Sequence, residues 1–404
     1  MPPQTLEVTG GVDTHADNHV AAVMNNIGAV IGTKSFPVSE DGYRSLTCWM
    51  CSFGDLKRVG VEGTGSFGAG LARHLSLAGV EVIEDNRPNR QLRRRRGKSD
   101  TTDAESAARS VLNGDARTIP KSSDGTVEGL RALRVARRSA MKARTQAANQ
   151  LQALIVTAPS DLRAQLCNLA PDQRVKKCAG LRPATSTSVQ AATKLAIRCV
   201  AQRHVDLTTE IETLDDAIMK YCAHTNAALL GACGVGVDVA SALLVAAGDN
   251  PQRMRSEASF AAMCGSSPVE ASSGKTTRHR LNRGGNREAN NALWRIAMVR
   301  LSCDPKTIEY SKRRRSEGKS GRETIRCLKR YIAREIFHLL IDKPSVPTGA
   351  DLRQQRTTAR LTLNVAAQAV GTFGTRISEL ERGLRYDTAL ATRYQEWLTT
   401  KQTS

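Results

Sequence analysis

Leu6-Glu7-Val8-Thr9-Gly10-Gly11-Val12-Asp13-Thr14-His15-Ala16-Asp17 is the stretch whose reading decides the fold. Residues 6–12 alternate well enough for a strand, and Asp13 stands at its carboxyl end. Small residues follow at once, then a second alternating run over 19–24. A carboxylate held there faces a cleft from a rigid position, which is where a metal ligand belongs.

Two further segments supply partners for it. Arg58-Val59-Gly60-Val61-Glu62 is another short β-branched run ending in a carboxylate, and Gly63-Thr64-Gly65-Ser66-Phe67-Gly68 turns it into an amphipathic helix over 69–78. Glu62 thus occupies a place equivalent to Asp13. Lys98-Ser99-Asp100-Thr101-Thr102-Asp103-Ala104 then opens an Ala-rich helix, and the spacing of Asp100 and Asp103 puts both on one face. Two strand-end acids and two on one helical turn make an oxygen-only cluster. Hard Mg²⁺ or Mn²⁺ ions take such ligands, and a pair of ions can clamp both the attacking and the leaving oxygen at a phosphodiester. The competing reading makes each acid a solvated cap or turn residue. Glu84 and Asp85, at the end of a run over 80–85, are rival ligands ranked below Glu62.

Strands over 6–13, 19–24 and 29–36, a helix over 40–52, a strand over 58–62, then the helix and strand already named and a helix over 100–113 follow in order. Three antiparallel strands followed by alternating helix and strand is the order of an RNase H-like (RuvC-like) fold, whose first strand carries the first catalytic Asp. Fold and acids therefore agree. Arg93, Arg94, Arg95 and Arg96 directly precede the acidic helix and would hold a phosphate backbone by charge rather than by sequence.

The chain has 404 residues and a net charge of +20, room for several domains and a charge that asks for a polyanionic partner. No apolar run reaches the length of a membrane span, and no basic-then-apolar leader is present, so a cytoplasmic protein is expected. The ten cysteines, including Cys48-Trp49-Met50-Cys51, read as reduced core residues rather than a zinc site.

From 127 to about 169 the chain is rich in Ala, Arg and Leu at helical spacing, and a second helical run covers 193–222, with 170–188 as their connection. A long helical hairpin or coiled-coil insertion results, suited to dimerisation, with a nucleic-acid face as runner-up. Gly231-Ala232-Cys233-Gly234-Val235-Gly236 joins two apolar helices and could present N–H groups to a phosphate or be an ordinary turn. Beyond it, Ser272-Ser273-Gly274-Lys275 lies in a strongly cationic stretch with Arg278, Arg280, Arg283 and Arg287, and no His-Asp pair stands ready for acyl transfer. A serine there could attack a phosphate held by arginines. Arg313, Arg314 and Arg315 begin another basic segment suited to phosphate contacts.

The order GVDTHAD, VEGTGSFG, KSDTTDA, SSGK and LNRGGNREANNAL resembles the DEDD transposases of insertion sequences that carry a catalytic serine, the bridge-RNA-guided recombinases related to Piv-type DNA invertases. The resemblance covers about residues 8–340. It implies that Asp13, Glu62, Asp100 and Asp103 bind the metal and that Ser273, with Ser272 as the alternative, attacks DNA to form a phosphoserine. It further implies strand transfer on element-end and target DNA, a structured guide RNA as partner, and a homo-oligomer, dimer or tetramer, whose subunits complete one another's sites. A Holliday-junction-type endonuclease using the same acids with water, and a non-enzymatic DNA-binding regulator, are the alternatives.

The tail departs from that pattern. A helix opening at Leu361-Thr362, then Ala367, Gly371, Ile377 and Leu380, fall where a helix-turn-helix needs a small residue, a turn and two core contacts. Residues 372–380 would then enter a major groove with Thr372, Thr375 and Arg376 exposed; a plain helical hairpin is the competing reading. The expected architecture is α/β plus all-α. It comprises an RNase H-like catalytic domain (6–118), a coiled-coil region (125–225), a helical serine-bearing domain (228–342) and a helix-turn-helix tail (350–404).

Overall fold

Strand β1 (Glu7–Thr14) is buried along nearly its whole length, on both faces, as a central strand must be. The computed structural model describes residues 6–85 and 99–402, so Arg93, Arg94, Arg95 and Arg96 lie outside the described residues. On one edge β1 pairs antiparallel with β2 (Asn18–Asn25), and β2 with β3 (Val30–Pro37). On the other it runs parallel to β4 (Asp55–Glu62), and β4 parallel to β5 (Glu81–Asp85). The resulting order, β3-β2-β1-β4-β5, is the one expected of an RNase H-like sheet. Helix α1 (Glu40–Cys51) carries the chain from β3 to β4, and α2 (Ala69–Leu77) joins β4 to β5. Val12, Val59 and Val61 pack on this side against Leu46, Met50, Leu71 and Leu75.

The opposite face of the sheet is covered by α3 (Asp100–Leu112), and two glycines set how closely. A Cβ on Gly11 would stand 2.2 Å from both the Ala104 carbonyl oxygen and the Ala108 nitrogen; one on Gly60 would stand 2.6 Å from the Ala107 oxygen. Helix backbone therefore rests on strand backbone. Gly11→Val is expected to destabilise the fold by about 1–3 kcal/mol or more through overpacking, read as a lowered midpoint of urea unfolding.

The chain forms two compact units, Met1–Glu128 with Ala247–Phe260, and Gly129–Ala246 with Ala261–Ser404. In the first, residues 247–260 return to the sheet-bearing segment through side-chain hydrogen bonds. Asp249 Oδ1 accepts from the Val127 amide at 2.8 Å, and Asn250 bonds the Ser122 amide and the Pro120 carbonyl.

The second unit is helical. Helix α4 (Thr126–Val156) and helix α7 (Val189–Leu230) are the two long arms expected of the insertion. The first arm ends at Val156 rather than near 169, with a separate short helix, α5 (Ser160–Leu166), in the rest of the expected helical run, and the connection expected over 170–188 holds another, α6 (Pro171–Ala179). Pro159 stops the first arm and Pro171 starts α6, since proline suits a first turn and not an interior. Leu162, Leu166 and Cys178 then pack with Leu151, Ile155 and Ile197. The second arm runs past Cys222 through a kink at Asn226, whose φ of −164° is non-helical. There the Asn226 side chain donates to the Leu339 carbonyl and accepts from the Leu229 amide, which compensates for the broken ladder.

Three arginines of α4 are engaged inside the unit rather than offered as a face for nucleic acid. Arg134 reaches Asp238 and Ser241 on α8 (Val237–Ala247), and Arg137 reaches Asp215 on α7. Arg138 reaches Glu288, which follows α9 (Glu257–Met263) in the first turn of α10 (Arg287–Cys303). The Gly-rich turn before α8 is held likewise: Arg300 donates to the Cys233 carbonyl at 2.8 Å and pairs with Glu335. Helices α11 (Pro305–Ser316) and α12 (Gly321–Asp342) follow, the latter opened by a capping box between Ser320 and Glu323.

The tail is α13 (Gly349–Thr358), α14 (Leu363–Ala369), α15 (Gly374–Glu381) and α16 (Thr388–Gln402), around a core of its own that includes Leu352, Ile377, Leu380 and Leu398. At its centre Arg356 makes a two-pronged pair with Glu381 at 2.7 and 2.8 Å, and the Tyr394 hydroxyl donates to the same carboxylate. Glu381→Ala is expected to cost about 3–5 kcal/mol, because it removes the buried partner of a guanidinium whose side chain is only 11% exposed; faster amide hydrogen exchange across α13–α16 would show it.

The cysteines depart from expectation. All ten are free, but Cys48, Cys51, Cys167, Cys199, Cys233 and Cys303 are exposed; only Cys178, Cys222 and Cys264 are core residues. On α1 the buried face is that of Tyr43, Leu46 and Met50, not of Cys48 and Cys51.

Candidate active site

The two glycines that let α3 approach also decide where the acids point. Side chains alternate along a strand, so Asp13, two residues after Gly11, and Glu62, two after Gly60, lie on the α3 side of the sheet. The strands are in register there, Val12 beside Val61, and Thr14 Oγ1 donates to the Glu62 carbonyl at 2.8 Å. Gly63, at φ +69°, and the turn after it then lead the chain into α2. Asp85 pairs with Glu62 in the β4–β5 register and shares its face, whereas the Glu84 amide bonds the Thr118 carbonyl on a neighbouring segment.

Ser99 is the N-cap of α3, its hydroxyl accepting from the Thr102 amide, so Asp100 and Asp103 both fall in the first helical turn. Asp13 and Asp103 are buried, while Asp100 is open to solvent. Burial pushes the Asp13 carboxyl above its ordinary value; His15 pulls it back, and the negative charges of Asp103 and Asp100 push it further up. The charges of Asp100 and Asp103 thus both bear on the Asp13 carboxyl, an arrangement a bound cation would relieve.

His15 joins them. Its Nε2 lies 3.1 Å from Asp13 Oδ2 and 3.4 Å from Asp100 Oδ1, and these three residues bring ligand atoms within 4.8 Å of one another. Sequence reasoning passed over this histidine. The signal was present: two residues after Asp13, at the strand's end, it returns to the same side of the sheet. Carboxylates with one imidazole fit a divalent ion such as Mg²⁺ or Mn²⁺, the imidazole favouring the latter.

Ser273 belongs to the second unit, on a hairpin between β6 (Val269–Glu270) and β7 (His279–Arg280). Ser273 and Thr276 exchange backbone hydrogen bonds at 3.1 and 3.0 Å, and Gly274, at φ +55°, takes the first central place of a two-residue turn. The two adjacent serines differ. Ser272 Oγ accepts from the Arg278 amide at 3.2 Å and so fastens the hairpin, while the Ser273 hydroxyl makes no hydrogen bond among the described residues. Lys275, Arg278, Arg280, Arg283 and Arg287 around it are all exposed. The base of the loop is fixed by Asn290, which donates to the Cys264 carbonyl and accepts from Lys329 Nζ, both at 2.7 Å.

Of the other predicted contacts, Arg313 and Arg315 are exposed on α11, while Arg314 pairs with Glu317 at 2.5 Å beside the Tyr310 ring. Thr375 and Arg376 are exposed on α15; Thr372 is half-buried and precedes the helix, which begins at Gly374 rather than 372.

Residues 10–158 match a family model described as a transposase, of the IS110 DEDD type, and residues 226–312 match one described as transposase, IS116/IS110/IS902 family. Two stretches of the chain are thus similar to transposase domains of the IS110 type. The first holds all four predicted acids and the second holds the serine hairpin. A DEDD domain of this type carries an RNase H-like fold, in accord with the sheet order. The chain is also similar to an uncharacterised 43.6 kDa protein of insertion element IS110 from Streptomyces coelicolor, 32% identical over 124 residues. That match covers 30% of each chain, so this protein spans under a third of the relative's length. No helix among the described residues is long and apolar enough to cross a membrane.

Proposed function

We propose that this protein is an insertion-sequence transposase that cuts and rejoins DNA strands, with a divalent ion at Asp13, Glu62, Asp100 and Asp103 and Ser273 as nucleophile. The observation that carries the reading is the convergence of Asp13, His15, Asp100 and Asp103 beside the parallel ends of β1 and β4. A bound Mg²⁺ or Mn²⁺ would supply positive charge against which a phosphodiester's growing negative charge is stabilised. This chain's residues do the rest. The carboxylates would hold the ion, with the buried Asp13 as its least solvated ligand. The exposed arginines of the hairpin hold the phosphate backbone. The Ser273 oxygen attacks phosphorus, its proton passing to solvent, and the DNA 3′- or 5′-oxygen leaves. The phosphoserine ester so formed conserves the bond, and a new strand end can displace the serine without an external energy source.

The division into a catalytic domain over 6–118, a dimerising helical region over 125–225, a serine domain over 228–342 and a DNA-binding tail over 350–404 belongs to the same reading. So do a homo-oligomer and a structured guide RNA from the element. The test is to incubate the full chain with element-end duplex, element RNA and Mg²⁺, then denature. A covalent protein–DNA species that is absent with EDTA is expected. Cut DNA with free 5′-phosphates and no adduct would instead mean hydrolysis by water, and no Mg²⁺-dependent change would leave a DNA-binding regulator.

A further inference from the structure

The tail has a fold of its own that neither the metal cluster nor the serine hairpin needs. Helix α14 and helix α15 are joined by Val370-Gly371-Thr372-Phe373, with Gly371 at φ +68°, a backbone turn that residues with a Cβ seldom adopt. Ala366 and Ala367 on α14 and Ile377 and Leu380 on α15 pack together at the crossing, and α13 and α16 close the core behind them. Small residues at the crossing let two short helices pack closely, and a short turn containing glycine is the connection a helix-turn-helix uses.

The outer face of α15 is polar and cationic. Ile377, Leu380 and Glu381 point inward, so the helix turns Thr375, Ser378 and Arg382 outward with Arg376 on the flank. The two acids of α15 do not oppose an anion there. Glu381 is buried against Arg356, and Glu379 is paired with Arg385 at 2.8 Å. Arg376 and Arg382 make no ion pair among the described residues. The inner end is rigid, because the Arg356–Glu381–Tyr394 cluster ties α13, α15 and α16 together.

We infer that α15 is a recognition helix, by which the tail reads a short sequence of double-stranded DNA in the major groove, without any guide. Helix α14 crosses the backbone while α15 enters the groove. Arg376 presents a planar fork of donors that matches the O6 and N7 acceptors of guanine, and Thr375 offers a hydroxyl and a methyl to a neighbouring base. Arg382, exposed at the far end of the helix, contacts a phosphate and sets register. Single-stranded nucleic acid fits less well. The outward face of α15 itself carries no aromatic side chain to stack on a base; the exposed Phe373 lies one residue before the helix. The protein thereby carries a sequence preference of its own.

The experiment selects binders from a pool of duplexes carrying randomised base pairs, using the full chain with Asp13→Ala and no divalent ion, so that cleavage plays no part. Parallel selections use single-stranded DNA and RNA of the same randomised design. A short motif enriched from duplex DNA is expected. In Arg376→Ala the affinity for that motif falls about 10- to 100-fold, as losing a bidentate base contact does. Arg376→Lys keeps the charge but not the fork. It is expected to lose the motif while retaining salt-dependent binding to random duplex. Melting temperatures of both variants should equal the parent's, since Arg376 lies outside the core. No duplex motif, a motif unchanged in both Arg376 variants, or an Arg376-dependent motif enriched only from RNA would each overturn the inference. Because catalysis is disabled throughout, failure here leaves the metal and serine reading untouched, and the reverse holds as well.

Discussion

Asp13→Asn should abolish strand transfer while raising the melting temperature of the metal-free protein. The two effects have one cause. Asp13 is buried between β1 and α3 with Asp100 and Asp103 close by, and its carboxyl titrates above the ordinary value chiefly because it is desolvated. A group whose folded pKa exceeds its unfolded one stabilises the fold below the unfolded value and loses that contribution as pH rises through the folded one. At neutral pH the ionised Asp13 therefore opposes folding, and the isosteric amide removes that opposition. The same change removes a ligand charge. Strand transfer should fall by about 10³-fold or more, corresponding to several kcal/mol of lost charge stabilisation. Melting curves in EDTA and in excess Mg²⁺ separate the two effects. Parent protein should gain stability from the ion, since a ligand that binds only the native state shifts unfolding. The Asn variant should start higher and gain little. A variant that transfers strands normally, or that gains from Mg²⁺ as the parent does, would remove Asp13 from the metal site.

Ser273→Ala should eliminate the covalent adduct and with it rejoining, while leaving DNA binding and melting temperature near the parent's. The residue is exposed and its hydroxyl bonds nothing among the described residues, so its removal disturbs no packing. Loss of a covalent nucleophile costs more than loss of a positioning group; about 10⁶-fold is the scale in enzymes where it has been measured, enough to put transfer below detection. Ser272→Ala is the matched control. It removes the acceptor for the Arg278 amide and should loosen the hairpin while still giving an adduct. If Ser272→Ala is the variant that loses the adduct, or if strand exchange survives Ser273→Ala while Asp13→Asn abolishes it, the attacking group has been misassigned.

How far the sequence predicted these features depends on which interactions are local. Strand ends and helix starts in the first 112 residues were legible because each is marked by alternation, by a β-branched run or by a capping Ser, and the observed elements fall close to their expected limits. Asp100 and Asp103 were readable for the same reason, since Ser99 fixes the helix start that puts them together. His15 was legible only in part: its place two residues after Asp13 is written in the strand, but its approach to within 3.4 Å of Asp100 needs α3 to fold back over the sheet. The arginines of α4 were misleading in the same way. Charge at helical spacing looks like an open surface until Asp238, Asp215 and Glu288 arrive from distant segments to pair with it. Composition also misled on the cysteines, whose average preference for interiors says nothing about where Cys48 or Cys199 sits on its own helix. Of the two short helices between the long arms, α5 lay within a run expected to be one continuous helix, and α6 was hidden because a Pro-bearing stretch reads as a loop until hydrophobic partners are known.

The bare main-chain seam at Gly11 and Gly60 has a consequence for engineering this protein. Distances among the acids are set largely by how closely two backbones abut, with the Val111 side chain of α3 seated against Gly60. Substitutions that refill the opposite face around Leu46, Met50 and Leu75 should harden the scaffold against heat without retuning its chemistry, which leaves durability and reactivity open to separate optimisation.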